Sequence, residues 1–463
     1  MGLLPGVTNA KPRFKILGLL FLPFIYFIAI YHPEYIQLIR SRPSSGAKSY
    51  DVMDMSVVWT EHMWTEAAHS VQVDGDFDVM PLKNHCAPIV PHHGLVFSCN
   101  RANGGIGNVR NQLLGCIKYA MEAGGGLVLP RPVLRSENLL TTATGKTTDF
   151  SYMFDELHFR NAIKRTCPRI TIYDTDEGLN RLPTILYPQT LGGPPVHGVI
   201  ISEPERWRER FDVWLQNETE TFKIPKPSPQ KPLLVEFDQS LLLRQPVDYD
   251  GEAIKNTFGR VLQIRSDMRR LAATASYELS KRFNLGLDPE AQLYKQAFFG
   301  AHLRTEKDAL KAWGDANFDT QSDQYIAQAQ AKNLSIMYVA TGNPEELLKM
   351  EKKAWEKAKI KVVSKYGLLN KGDGDYLRKL TWDQQALVDY EMLLKASDFG
   401  GFIKSTFAYN IALRRHIISN VTDPFVESDG VSFADEYSHI YGTHDFKRRK
   451  NPWTATIRWA MWP

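Results

Sequence analysis

What this sequence has little of narrows the field first. A surplus of one charge is missing, since 56 Lys and Arg against 52 Asp and Glu leave +4 over 463 residues, too dilute for the basic footprint of a nucleic-acid binder. The one dense basic run, Lys447-Arg448-Arg449-Lys450, reads as solvated surface. Short internal repeats and low-complexity tracts are absent, which excludes solenoids and linker-like chains. A complete P-loop, Gly-x-x-x-x-Gly-Lys-Ser/Thr, is also absent, because Leu140 stands where Gly145-Lys146-Thr147 would need its first glycine, and the one dinucleotide-like glycine cluster is broken by Arg110 where a third glycine is needed. Cysteine is scarce. Cys86, Cys99, Cys116 and Cys167 are spaced too widely for a zinc motif, but their even number fits two disulfides in an oxidising compartment. Three pairings remain open.

What is present is ordinary core material, with 43% hydrophobic and 23% charged residues, in a chain long enough for two or three domains. Near the start, Lys11, Arg13 and Lys15 precede the uncharged run Ile16 to Tyr31. Its length suits a membrane-spanning helix and its basic flank suits the cytosol, giving a type II arrangement. Expected segments are a cytosolic tail over 1–15, an anchor over 16–32 and a stem over 33–80. The sequons beginning at Asn217, Asn333 and Asn420 fit a luminal chain.

From Leu95 the pattern predicts α/β units. Leu95 to Cys99 reads as a strand, Asn103 to Gly107 as a glycine-rich turn, Asn108 to Ala123 as a helix, and Leu127 to Pro130 as a second strand. A later set follows: strands over Ala297 to Leu303, Ser335 to Ala340, Lys361 to Ser364 and Phe399 to Ile403, with helices over Glu345 to Lys357, Trp382 to Ala396 and Phe407 to Arg415. Two Rossmann-like domains are expected, at 81–245 and 246–463, divided near the Pro-rich stretch Pro225 to Pro232 and the polar segment Pro246 to Gly251.

Ligands of such sheets sit beyond the carboxyl ends of the strands, where helix N-termini offer unpaired N–H groups. Three segments have that character. In Gly104-Gly105-Ile106-Gly107-Asn108-Val109-Arg110 the glycines permit close backbone approach, and Asn108 and Arg110 are placed to reach a ligand. In His302-Leu303-Arg304-Thr305-Glu306, His302 and Arg304 leave one face of a strand together, a pairing suited to a diphosphate. The bland alternative is an arginine paired with Glu306 or Asp308. In Lys404-Ser405-Thr406-Phe407, Ser405 or Thr406 caps a helix whose N–H groups point outward.

These segments, in this order, resemble the O-fucosyltransferase superfamily, nearest its plant-type branch. Gly104 to Gly115 resembles the N-terminal motif, Phe154-Asp155-Glu156-Leu157-His158-Phe159 an internal element, and His302-Leu303-Arg304-x-Glu306-Lys307-Asp308 the most specific motif. Leu387-Val388-Asp389-Tyr390 with Ser405-Thr406-Phe407 resembles the C-terminal motif. The resemblance implies a GT-B fold and inverting, metal-independent transfer of a sugar, fucose from GDP-fucose by preference, to a protein or glycan hydroxyl in the Golgi or endoplasmic reticulum. It further implies that His302 and Arg304 hold the diphosphate, with Ser405, Thr406, Phe407, Asp389, Gly105, Gly107 and Arg110 around the donor. Asn108 then lies near the transferred sugar, and Glu306 is a base candidate on chemistry alone. Thr305 replaces the aromatic residue of the family motif.

Two other readings stay open. Asp74-Gly75-Asp76-Phe77-Asp78 and Asp174-Thr175-Asp176 offer Asp-x-Asp pairs of the kind that hold manganese in metal-dependent GT-A transferases. A membrane-tethered sugar-binding protein without turnover is the third possibility.

Overall fold

In the computed structural model, residues 59–135, 144–238, 241–312, 316–428, 430–442 and 453–463 are described. The expected tail and anchor lie outside them, and among the described residues no helix is long and apolar enough to cross a membrane. Thr60 caps α1 (Glu61–Ser70), its hydroxyl accepting from Met63 N–H at 3.3 Å. Trp64, Thr65 and Ala68 form the buried face of that helix, and the Trp64 indole donates to Leu287 O at 3.3 Å. Farther on, Asp74 is buried in an ion pair with Arg414 at 2.8 Å. The stem expected over 33–80 is therefore corrected, because an apolar helical face and a buried charge pair bind residues 59–80 into the folded body.

The first sheet is wholly parallel. Its strands are β1 (Leu95–Ser98), β2 (Gly126–Val128), β3 (Ile172–Tyr173), β4 (Asn180–Leu186) and β5 (Leu233–Phe237), in the order β3-β2-β1-β5-β4. β1 is buried throughout, as a parallel strand covered by helices must be. Between β1 and β2 runs α2 (Ile106–Glu122), buried along nearly all its length. Cys99–Cys116 ties the end of β1 to this helix, and Cys86–Cys167 joins the ends of the helices Met80–Cys86 and Glu156–Thr166, with Cα separations of 5.9 and 5.4 Å. Of the three pairings open in the sequence, this one is realised.

A long helix, α3 (Ser266–Phe283), follows and packs on α1. The second sheet has the order β10-β11-β12-β9-β6-β7-β8. Parallel strands β6 (Phe299–His302), β7 (Ile336–Ala340), β8 (Lys361–Val363) and β9 (Asp398–Phe402) form its centre, extended by β12 (Ser438–Tyr441), parallel to β9, then by β11 (Val431–Ala434), antiparallel to β12, and β10 (Phe425–Ser428), antiparallel to β11. Its connections include α4 (Phe318–Ala331), α5 (Trp382–Lys395) and α6 (Thr406–His416). Thr381 and Gln384 form a reciprocal capping box that starts α5, and Asn343 caps the helix Pro344–Ala358.

Last comes α7 (Trp453–Ala460). Although the sequence places it with the second domain, it packs on the helix of the first sheet: Asn111 donates to Ala460 O at 3.0 Å and Arg110 to Trp462 O at 3.2 Å. Trp462 is buried edge-on against Phe258, with ring centroids 4.8 Å apart. Assignment of all of 246–463 to the second domain is corrected for this segment. The reason is that polar side chains buried on α2 need acceptors, and the final turn supplies them.

Candidate active site

Between the two sheets lies a cavity of about 240 Å³. The sequence places its walls by a common rule, since β1, β6, β7 and β9 all point their carboxyl ends toward it and α2, α5 and α6 all begin there. Three helix N-termini thus converge, and the first of them, capped by Gly105, has no side-chain cap on its N–H groups. Such ends favour an anion.

His302 closes β6 and Arg304 follows beyond the sheet, both lining the cavity. Their backbone is clamped from α4. Tyr325 hydroxyl donates to His302 O at 2.9 Å, Arg304 N–H donates to Gln321 Oε1 at 2.9 Å, and Gln321 Nε2 returns a bond to Arg304 O at 3.0 Å. The His302 ring lies 4.5 Å from that of Phe407, with its Nδ1 3.4 Å from Ser405 Oγ. Burial, with Arg304 adding to it, lowers its pKa to about 3, so the imidazole is neutral near pH 7. Arg304 forms an ion pair with Glu306, as the bland sequence alternative expects, and both residues line the cavity.

Glu306, the base candidate, is corrected. One of its oxygens takes Arg304 and the other accepts Gly342 N–H at 3.0 Å, so this carboxylate holds Arg304 in place. Asp389 borders the cavity but turns inward to Lys365 and to the Tyr338 hydroxyl at 2.7 Å. Burial raises its carboxyl although both partners hold it down. Arg110 is also corrected. Two residues past Asn108, about 200° around the helix, it is buried and donates to Gly259 O at 2.7 Å and to the carbonyls of Trp462 and Pro463. Burial lowers it to about 10, which leaves it charged, and no part of it lines the cavity.

The opposite wall is Gly105, Gly107 and Asn108. Thr406 donates its hydroxyl to Asn108 Oδ1 at 2.6 Å, and Ser405 Oγ caps α6 by accepting Ala408 N–H at 3.2 Å. A Cβ on Gly107 would lie 2.5 Å from the Thr406 carbonyl carbon, so the starts of α2 and α6 touch through backbone. Sequence reasoning missed Arg135, Trp382, Asp383, Gly342 and Lys404, which also line the cavity. The signal for Arg135 was a cation in the loop beyond a parallel strand, and for Trp382 and Asp383 the first turn of a capped helix.

The Asp-x-Asp reading is corrected too. Asp74 is buried, and Arg414 and Arg260 lower its pKa against the effect of burial. Asp174 pairs with Arg160 and Asp176 with Arg181, and none of these acids lines the cavity. Elsewhere His85, Glu122 and Asp250 bring ligand-type atoms together, but Lys118 already bonds Asp250 at 2.8 Å and also Glu122, so an ammonium occupies their focus.

A parallel and a mixed α/β sheet meeting at a cleft lined by cations and helix starts define a class, two-sheet α/β proteins whose cleft suits an anionic ligand. The family is narrower. The model of GDP-fucose protein O-fucosyltransferases matches residues 95–418, and the chain belongs to that family and is a glycosyltransferase of the fucosyltransferase type. Among solved structures it is similar to POFUT1 in complex with GDP, at 14% identity over 76% of this chain and 99% of that one with a TM-score of 0.41. POFUT1 in complex with GDP-fucose is 13% identical over 76% and 99% of the two chains, with a TM-score of 0.43. A mutant of Arabidopsis thaliana FUT1 in complex with GDP is 14% identical over 76% and 75%, with a TM-score of 0.35. No curated protein matches the chain.

Proposed function

We propose that this chain is a GT-B-type, inverting and metal-independent glycosyltransferase that moves fucose from GDP-fucose to a hydroxyl of a protein or glycan in the secretory pathway, anchored as a type II membrane protein. The observation that carries the reading is the strand tip bearing His302 and Arg304, opening on a cavity whose other walls are the starts of α2 and α6. A nucleotide diphosphate placed there would meet a guanidinium, a neutral imidazole able to donate or accept a hydrogen bond, and backbone N–H groups. Charge developing on the departing diphosphate is then stabilised by Arg304 without a bound cation. The family match supports the donor, and two disulfides with no free cysteine among the described residues support an oxidising lumen.

The test is GDP-fucose turnover by the full-length protein in detergent with a chelator present. Arg304→Ala is expected to lower turnover at least about 100-fold, the scale of losing one charge-stabilising donor, with an unchanged melting curve. A variant as fast as the wild type would sink the reading.

A further inference from the structure

Inverting transfer needs a group that takes the proton from the attacking hydroxyl, and the cavity wall can be searched for it. Three carboxylates line the cavity among the described residues: Glu306, Asp389 and Asp383. Both oxygens of Glu306 are engaged by Arg304 and Gly342 N–H. Those of Asp389 are engaged by Lys365 and Tyr338. His302 is too weakly basic, with its pKa held near 3 by burial and Arg304.

Asp383 differs from all of these. It stands in the first turn of α5 and is 6% exposed, and its ion-pair contact is with Arg135 Nε at 3.4 Å. That arginine stacks over Trp382 at 5.0 Å and lines the cavity with Gly105 of the opposite wall, where an added Cβ would stand 3.5 Å from its Nη2. Asp383 is thus held beside the Gly105–Asn108 wall, on a different element from the Arg304 tip. We infer that Asp383 is the general base of the transfer and that Arg135 is its positioning residue, an assignment that rests on the donor reading above.

In the step, the acceptor O–H proton passes to a carboxylate oxygen of Asp383 while the freed electron pair bonds the anomeric carbon. The anomeric C–O bond to the β-phosphate breaks, and its pair leaves with the diphosphate toward Arg304. With water as acceptor the products are free sugar, nucleoside diphosphate and a proton. Burial raises the Asp383 carboxyl to about 6 against the pull of Arg135, close to the working pH where a base is most effective. Facing it are Arg135 and Tyr152, with Arg304, Glu306, Lys404 and neutral His302 around the rest of the cavity.

The test uses the full-length protein and GDP-fucose with water as acceptor, following GDP release against pH and measuring GDP-fucose affinity by thermal shift. Wild-type release should fall as pH drops through about 6. Asp383→Asn should lose at least about 100-fold in rate and show no such limb, with affinity within about twofold. Arg135→Met, which removes the cation opposing the upward shift, should move the limb to higher pH. An Asp383→Asn variant that keeps the limb, or whose main loss is in GDP-fucose affinity, overturns the assignment. A wild type that neither binds nor hydrolyses GDP-fucose removes the donor reading first and the base with it.

Discussion

His302 shows how one buried ring ties the site to acid stability. Its pKa is about 3 in the folded chain and about 6.5 when unfolded, so below pH 6.5 the unfolded chain binds a proton that the folded chain refuses. Its contribution is complete above pH 6.5 and drains away as pH falls toward 3. Between pH 7 and 4.5 this amounts to about 2–3 kcal/mol at ~1.4 kcal/mol per pH unit. His302→Asn should therefore narrow the gap in urea stability between those two pH values, and an unchanged gap would contradict the neutral imidazole. That His302 and Arg304 both reach the cavity was legible from the motif, although the strand ends at His302 and Arg304 lies beyond it, so the shared strand face that alternation suggested is not what brings them together. Arg110 was not legible as a structural residue, because its acceptors lie at Gly259, Trp462 and Pro463, where no local pattern points. Asp74 went the same way, its partner Arg414 being 340 residues distant.

At the scale of elements, strand and helix positions followed the sequence closely. The strand expected over Ser335 to Ala340 is β7, the helix over Trp382 to Ala396 is α5, and boundaries differ by a residue or two where caps set the ends. What periodicity could not give is which helix starts meet. The α2–α6 contact depends on Gly107 having no side chain, since an added Cβ would stand 2.5 and 2.6 Å from the carbonyl carbon and oxygen of Thr406. Gly107→Ala gains at most about 1 kcal/mol of helix propensity. Against that, overpacking onto backbone costs about 1–3 kcal/mol and pulls apart the Thr406–Asn108 bond. The expected outcome is a lower melting temperature together with weaker GDP-fucose binding, read in one thermal-shift titration. A more stable variant with normal binding would show that the two helix starts are free to separate.

Across the whole molecule, the two sheets belong to one compact unit from Trp59 to Pro463, and α7 with the residues after it is one reason. Arg110 and Asn111 on α2 and Asn410 on α6 all donate to carbonyls between Ala460 and Pro463. Removing residues 453–463 would leave these donors buried without acceptors, at about 1–3 kcal/mol each, and would unpack Trp462. Such a truncation should not yield soluble, cooperatively melting protein, and recovery of a sharp transition near the full-length value would refute this.

The same clamp bears on how the protein is made. Arg110 finds its partners more than 350 positions further along the chain, so the helix that walls the cleft cannot be finished when it leaves the ribosome. Synthesis lets early segments fold first where they can, but here a charged, half-assembled wall must wait for residues 453–463 to be made. The nascent chain has to be sheltered through that interval.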